Sequence, residues 1–280
     1  MPCNLKALII FLLFLFFNPL IFGQTKLFDT ERELTQLFDS IYKMEDTPER
    51  ELLNNQIIGK FEEALSITEA IHFQWNALDM IGKVHSEDGK LNIYTWHLQL
   101  KNSEYLYYGL LQYNIGKSKK GKEDIVVQKL LDYSDQLKNP ATLKLTNENW
   151  FGALYFGIKS YSYKRNTYYL LFAYDFHDNY SQKKIIEVLN INKNGDILFS
   201  GKFNMDFQEF NRIIFEYSDN VSMSLKYDER LDMIIYDHLS PFKPFFTGSY
   251  RFYSPDGSYD GLKFNKSVFQ LQKDVDARNQ

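Results

Sequence analysis

Carboxylates, imidazoles and tyrosines are the side chains of this 280-residue chain that could do chemistry, and their spacing limits which chemistry. Glu187, in Ile185-Ile186-Glu187-Val188-Leu189, and Glu216, in Ile213-Ile214-Phe215-Glu216-Tyr217, are carboxylates in mid-strand. Two such groups facing one cleft would suit glycoside cleavage. A strand with one wet face also needs polar residues at alternate positions, and that solvated face is the expectation for both. Asp237-His238 follows an apolar strand, with Ser240 nearby in sequence, and could orient an imidazole as a general base. Adjacent strand residues point to opposite faces, and no Gly-x-Ser-x-Gly elbow supplies a nucleophile, so a turn-lining pair is expected instead of a hydrolase triad. Asp175-Phe176-His177-Asp178 carries oxygen and nitrogen donors, but it ends a strand ahead of Asn179 and reads as a polar turn. The histidines His72, His85, His97, His177 and His238 show no His-x-x-x-His spacing. No catalytic residue, metal ligand or cofactor is therefore assigned.

Trp96, Trp150 and the tyrosines Tyr155, Tyr161, Tyr163, Tyr168 and Tyr169 suggest a stacking surface for a sugar or a partner, although aromatic residues are also ordinary strand formers. Tyr94, Trp96, Leu98 and Leu100 share one strand face, which assigns Trp96 to the core. The residues left as ligand-binding candidates are Tyr155, Tyr161, Asp175, His177, Asp256, Tyr259 and Asp260.

The elements that must position these groups begin with helices. Thr30 with Glu33 fits a capping box, followed by Leu34, Leu37, Phe38, Ile41 and Tyr42 on one helical face. Thr47 as N-cap and Pro48 at the first position open a second helix with Leu53, Ile57, Phe61, Ala64 and Leu65 on one side. From about residue 90 the period changes to two, with turn signals every eight to twelve residues. Strands are expected at 91–100, 104–113, 150–161, 168–175, 185–191, 197–203, 221–227 and 250–253, with Lys193-Asn194-Gly195-Asp196 a hairpin turn. The fold class is α+β, mainly antiparallel β: N-terminal amphipathic helices capping a hairpin-rich sheet system that is a sandwich, a barrel or a propeller-like array. The expected divisions are 1–23, a helical cap over 24–85 and a β domain over 86–280.

Residues 1–23 have one early cation, Lys6, an apolar run over 7–17 and a polar exit, the form of a secretory signal peptide. The only cysteine, Cys3, precedes that run, so the chain after cleavage has neither disulfides nor thiolate ligands. That absence favours a Gram-negative periplasm or exterior, where the sequons at Asn179, Asn220 and Asn265 are chance matches. Losing Lys6 leaves 31 of the 32 basic side chains against 36 acidic ones, a balance of -5. Nothing there suggests nucleic acid, and Lys117, Lys119, Lys120 and Lys122, interleaved with small residues, read as a solvated hairpin loop. No membrane span is expected after cleavage. A hydrophobic content of 44% with 14 Gly and 7 Pro excludes disordered and collagen-like classes.

Several segments carry a resemblance. They include Ser86-Glu87-Asp88-Gly89-Lys90 before Ile93-Tyr94-Thr95-Trp96, Trp150-Phe151-Gly152-Ala153-Leu154-Tyr155, Asp237-His238-Leu239-Ser240-Pro241 and Tyr253-Ser254-Pro255-Asp256-Gly257-Ser258-Tyr259-Asp260-Gly261-Leu262. Together they resemble an uncharacterised family of exported proteins from the Bacteroidota. The resemblance implies export and brings no activity, cofactor or catalytic residue. Two functions follow as expectations: a non-enzymatic exported β protein binding an envelope partner or glycan, and an exported hydrolase working through paired carboxylates.

Overall fold

The structure is a computed structural model that describes residues 19–102, 104–117, 121 and 123–277. Cys3, Lys6 and the apolar run of the expected leader lie outside the described residues, as do Lys119, Lys120 and Lys122 of the basic run. The chain divides into two units, Met1–Asp79 and Met80–Gln280.

The first unit contains α1 (Pro19–Ile41) and α2 (Pro48–Leu65). Leu27, Leu34, Phe38 and Ile41 of α1 and Ile57, Phe61, Ala64 and Leu65 of α2 are buried, as the helical spacing requires. The expected helix start at Thr30 is corrected: α1 begins at Pro19, and the Thr30 hydroxyl donates to the Lys26 carbonyl, 2.9 Å, within the helix. Glu33 does not close a capping box but pairs with Lys60. Thr47 sits at the N-cap of α2 without a side-chain capping bond to the backbone, and Pro48 does open the helix. Buried Glu31 accepts the Ala77 amide at 2.8 Å, which ties the segment after α2 back onto α1.

Among the described residues the second unit is antiparallel apart from one parallel strand pair and an isolated parallel bridge between Asp132 and Trp150. Strands β1 (Gly82–His85), β2 (Leu91–Gln99), β3 (Tyr105–Lys117) and β4 (Glu123–Leu131) form the first sheet in chain order. The middle sheet runs β11 (Ile213–Ser218), β7 (Ser181–Ile191), β6 (Asn166–Asp175), β5 (Leu154–Tyr163), with β8 (Ile197–Phe199) also on β7. The third runs β10 (Gln208–Phe210), β9 (Phe203–Met205), β15 (Val268–Gln272), β14 (Tyr253–Asn265), β13 (Met233–Pro241), β12 (Leu225–Asp228), with β15 and β9 parallel. The protein is thus mainly antiparallel β with two helices on its N-terminal side, and among the described residues the sheets close no barrel.

Two apolar cores explain the stacking. Val84, Ile93 and Leu111 of the first sheet pack with Tyr169, Leu171, Ile185 and Leu189 of the middle sheet, while Leu170, Phe172, Ile186 and Val188 pack with Phe203, Ile234, Leu262 and Phe269 of the third. Strands β6 and β7 are therefore buried on both faces, which is why their sequence reads as a nearly continuous apolar run. The solvated face expected for Glu187 does not exist.

Other expectations shift at strand ends. The segment expected as one strand over 197–203 splits between two sheets at Gly201, where a Cβ would stand 2.3 Å from Phe203 Cε2 and 2.8 Å from the Asn211 carbonyl. Residues 221–224 are not strand; β12 starts at Leu225, because Asp237 and Lys184 side chains take the Ser224 amide and Met223 carbonyl. Residues 250–252 form a 3-10 turn ahead of β14.

Gly152 supplies a direct test of this packing. It has φ +74°, and a Cβ there would meet Asp132 Oδ1 at 2.2 Å. That carboxylate accepts the amides of Tyr107 and Ser134, at 2.9 and 3.0 Å, and so joins β3 to the chain after β4. Gly152→Ala combines a left-handed backbone with displacement of a bonded carboxylate and is expected to cost about 2–4 kcal/mol in urea denaturation. A loss below about 0.5 kcal/mol, ordinary for a neutral surface change, would refute the placement.

Candidate functional site

Four side-chain groups in the β unit concentrate polar or aromatic chemistry. The first lies inside the core. Glu187 on β7 is 0% exposed, and its carboxylate accepts Arg212 Nε at 2.9 Å and the Tyr155 hydroxyl at 2.8 Å. Tyr155 in turn accepts Trp150 Nε1 at 2.8 Å, and Arg212 Nη1 donates to the carbonyls of Pro140 and Leu143. Burial first, and the Glu187 charge second, push the Tyr155 hydroxyl well above its ordinary range and keep it a donor. This corrects two assignments at once: Glu187 cannot meet a substrate, and Tyr155 is not an outward ligand contact. Glu216 shares its face but stands opposite Lys183, four residues along β7, roughly 13 Å at 3.3 Å per residue. That exceeds the roughly 5–9.5 Å of glycosidase carboxylate pairs.

The second group gathers around the turn after β6. Asp175 is buried, accepts the Tyr107 hydroxyl at 2.9 Å and lies 3.8 Å from Lys183 Nζ. Lys183 Nζ also meets His177 Nδ1 at 2.8 Å, and His177 Nε2 stands 3.8 Å from both Asp178 and Glu216. Glu216 accepts the Ser181 hydroxyl at 2.9 Å. Although burial raises Asp178, the amides of Tyr180 and Ser181 outweigh it and leave that carboxyl below its ordinary value. Each charge here answers a neighbour or an amide, so the arrangement holds a turn of positive φ at His177. Among the described residues no group of three or more His, Cys, Asp or Glu is placed to hold a metal ion.

The third group replaces the sequence neighbours Asp237 and His238 with a cross-strand pair. Asp237 accepts the Ser224 amide at 2.6 Å, while His238 Nδ1 meets Asp260 Oδ2 at 2.7 Å across the β13–β14 bulge. Asp260 is 9% exposed at its side chain and His238 42%, so the imidazole is held from behind and open in front. Asp260 also accepts the Asp274 amide, and Asp256 accepts the amide and hydroxyl of Ser258, bonds that lower its pKa. Tyr259 borders an adjacent cavity of about 440 Å³ with Gly257, Ser258 and the segment from Asp274 to Ala277.

The fourth group is aromatic. Tyr161 and Tyr168 stack across β5 and β6 with centroids 5.4 Å apart, and Phe264 of β14 lies 4.7 Å from Tyr161 and 6.0 Å from Tyr163. These rings, with Asn190, Ser200, Lys202 and Ser267, line an open cavity of about 290 Å³ with no carboxylate in its wall. The hairpin that carries them turns through Lys164 and Arg165, both at positive φ, and Lys164 stands 5.2 Å from the Tyr163 ring centre. Burial pushes up the pKa of Tyr161 and keeps it neutral.

A further cavity of about 470 Å³ holds Lys184, whose Nζ lies 5.3 Å from the Phe156 ring centre and whose pKa is lowered, chiefly by burial. Sequence reasoning missed Arg212, Lys183, Lys184, Phe264 and Lys202. Only the cross-strand register brings them to their partners, and a single sequence does not print that register.

Fold and sites define a three-sheet antiparallel β protein with a buried ion pair and an open aromatic cavity. Comparison with protein-family models, curated proteins and solved structures finds no match. Among the described residues no helix is long and apolar enough to cross a membrane.

The role given to Glu187 can be measured. Glu187→Ala leaves the Arg212 cation buried without its counterion and is expected to lose about 3–5 kcal/mol. The pair replacement Glu187→Met with Arg212→Met should recover most of that in the same urea titration. A single variant within about 1 kcal/mol of wild type would show that the pair is not a constraint of the core.

Proposed function

We propose that this chain is an exported, non-enzymatic saccharide-binding protein whose binding site is the cavity of Tyr161, Tyr163, Tyr168 and Phe264. The observation that carries the reading is four aromatic side chains from three strands lining one open cavity beside amide, hydroxyl and ammonium groups. Sugar rings present apolar C–H faces between hydroxyls, and aromatic walls with a few polar groups match that alternation. Lys202 in the wall, Lys164 beside it and the absence of lining carboxylates favour a saccharide with acidic substituents. Export and membership of the Bacteroidota family belong to the same proposal, supported by the leader-like segment 1–23 and the quoted motifs.

A second reading, an exported hydrolase, is favoured by one observation, the His238–Asp260 pair. A buried carboxylate on Nδ1 of a part-exposed imidazole is the base-and-orienter half of a catalytic triad. Among the described residues no hydroxyl bonds His238 to complete it, so this pair would act on a water.

Affinity electrophoresis through gels containing polygalacturonate or dextran, followed by a reducing-end assay, separates the two readings. Retardation by the acidic polymer, weakened about tenfold by Tyr163→Ala or Lys202→Ala with no new reducing ends, supports saccharide binding. Unaltered migration in both gels refutes it. Release of reducing ends that His238→Ala abolishes establishes the hydrolase instead.

A further inference from the structure

The connection between β13 and β14, residues 242–252, presents large aromatic side chains to solvent. Phe242 is 76% exposed, Phe245 90% and Tyr250 46%. Isolated exposed apolar residues need no explanation, but three within nine positions of one loop form a patch. Lys243 and Arg251 lie among them, and the stretch 241–253 contains no acidic residue although the whole chain carries a formal charge of -4.

The loop is also preformed. Phe246 stacks on Phe252 with centroids 4.1 Å apart, forming an inner layer from which Phe242, Phe245 and Tyr250 project outward. Its backbone bonds close within the loop: the Phe242 amide donates to the Phe252 carbonyl at 2.9 Å, Phe246 to Lys243 at 2.9 Å, Ser249 to Phe246 at 2.9 Å and Phe252 to Ser249 at 3.0 Å. The Gly248 amide donates to the Tyr253 hydroxyl at 3.1 Å. The six amides of Phe242, Phe246, Thr247, Gly248, Ser249 and Phe252 that are bonded in this way are not stranded when the loop leaves water, and holding the rings in place beforehand reduces the ordering entropy.

We infer that this loop docks the protein on an anionic phospholipid surface, with Phe242 and Phe245 entering the boundary between headgroups and acyl chains and Lys243 and Arg251 meeting lipid phosphates. Aromatic rings and snorkelling cations are the side chains suited to that boundary. The local positive charge on an acidic protein selects anionic lipid and points this face of the β unit at it.

The test places a reporter in the loop. Phe245→Trp in the full chain, whose native tryptophans Trp75, Trp96 and Trp150 are all buried, is mixed with vesicles of phosphatidylcholine alone or with phosphatidylglycerol, each with and without brominated acyl chains. A blue shift and bromine quenching of the new emission in phosphatidylglycerol vesicles is the expected result. Lys243→Gln with Arg251→Gln, or about 0.5 M salt, should weaken it several-fold. Phe242→Ser should weaken it further without changing the salt response. Because the readout is local, apolar residues elsewhere in the chain cannot produce it. No shift in either vesicle, equal quenching in both, or a concentration-dependent shift without vesicles, which would mark a second copy of the chain as the occupant, each overturns the proposal.

Discussion

A sheet covered on both faces has no water to offer any polar group placed on it, and the β unit is organised around that constraint. β6 and β7 send alternate side chains into two separate cores, so a polar side chain sealed in their middle must find its partner within the protein. Glu187 is the extreme case. Its two oxygens are taken by Arg212 and Tyr155, and the chain continues to Trp150 and to carbonyls of the segment after β4. A buried ion pair contributes little net stability against an apolar replacement, yet it admits few alternative registers, because sliding β11 past β7 would strand both charges.

The same constraint moves potential chemistry to the ends of the strands. The His238–Asp260 pair sits at a bulge, the Asp175 and His177 cluster at a hairpin, and the aromatic cavity where β5–β6 and β14–β15 turn. Only there does a polar or aromatic side chain reach solvent while a sheet still fixes its backbone. The bulge between Asp237 and Leu239 shows how. The disruption of simple alternation lets adjacent residues serve separate partners, Asp237 the Ser224 amide and His238 the Asp260 carboxylate.

Local signals explain how much of this is legible in the sequence. Helical spacing identifies the buried faces of α1 and α2, and Asn194-Gly195 marks the β7–β8 turn, with Gly195 at φ +88°. Period-two patterning locates most strands but does not say whether a polar position faces water. Glu187 and Glu216 look alike in sequence, each a carboxylate among apolar neighbours, yet one is sealed and the other lies at the sheet's edge. The difference is the core shared with the first sheet, where Trp150 and Tyr155 lie, and the segment around Pro140, all remote in sequence. Tyr155 and Tyr161, six residues apart on one strand, part company at the bulge between Tyr155 and Gly157, one facing the first core and the other the second. Tyr161 with Tyr168 and Tyr163 is visible as an aromatic run, but Phe264, which makes them a cavity, arrives from about a hundred residues later.

Net charge also misleads when read for the whole chain. A formal charge of -4 suggests a surface that repels acidic ligands, whereas the wall of the aromatic cavity has Lys202 and no carboxylate. The carboxylates are instead tied into turns, Asp178 and Asp256 each accepting amides and Asp260 holding His238. Carboxylates that stabilise turns sit with amide donors against them, so their field at a distance is partly cancelled, while Lys164, at the tip of its hairpin, stands against the uncharged Tyr163 ring. At roughly 8–10 Å of screening, a ligand approaching one hairpin senses that hairpin's charge and little of the rest.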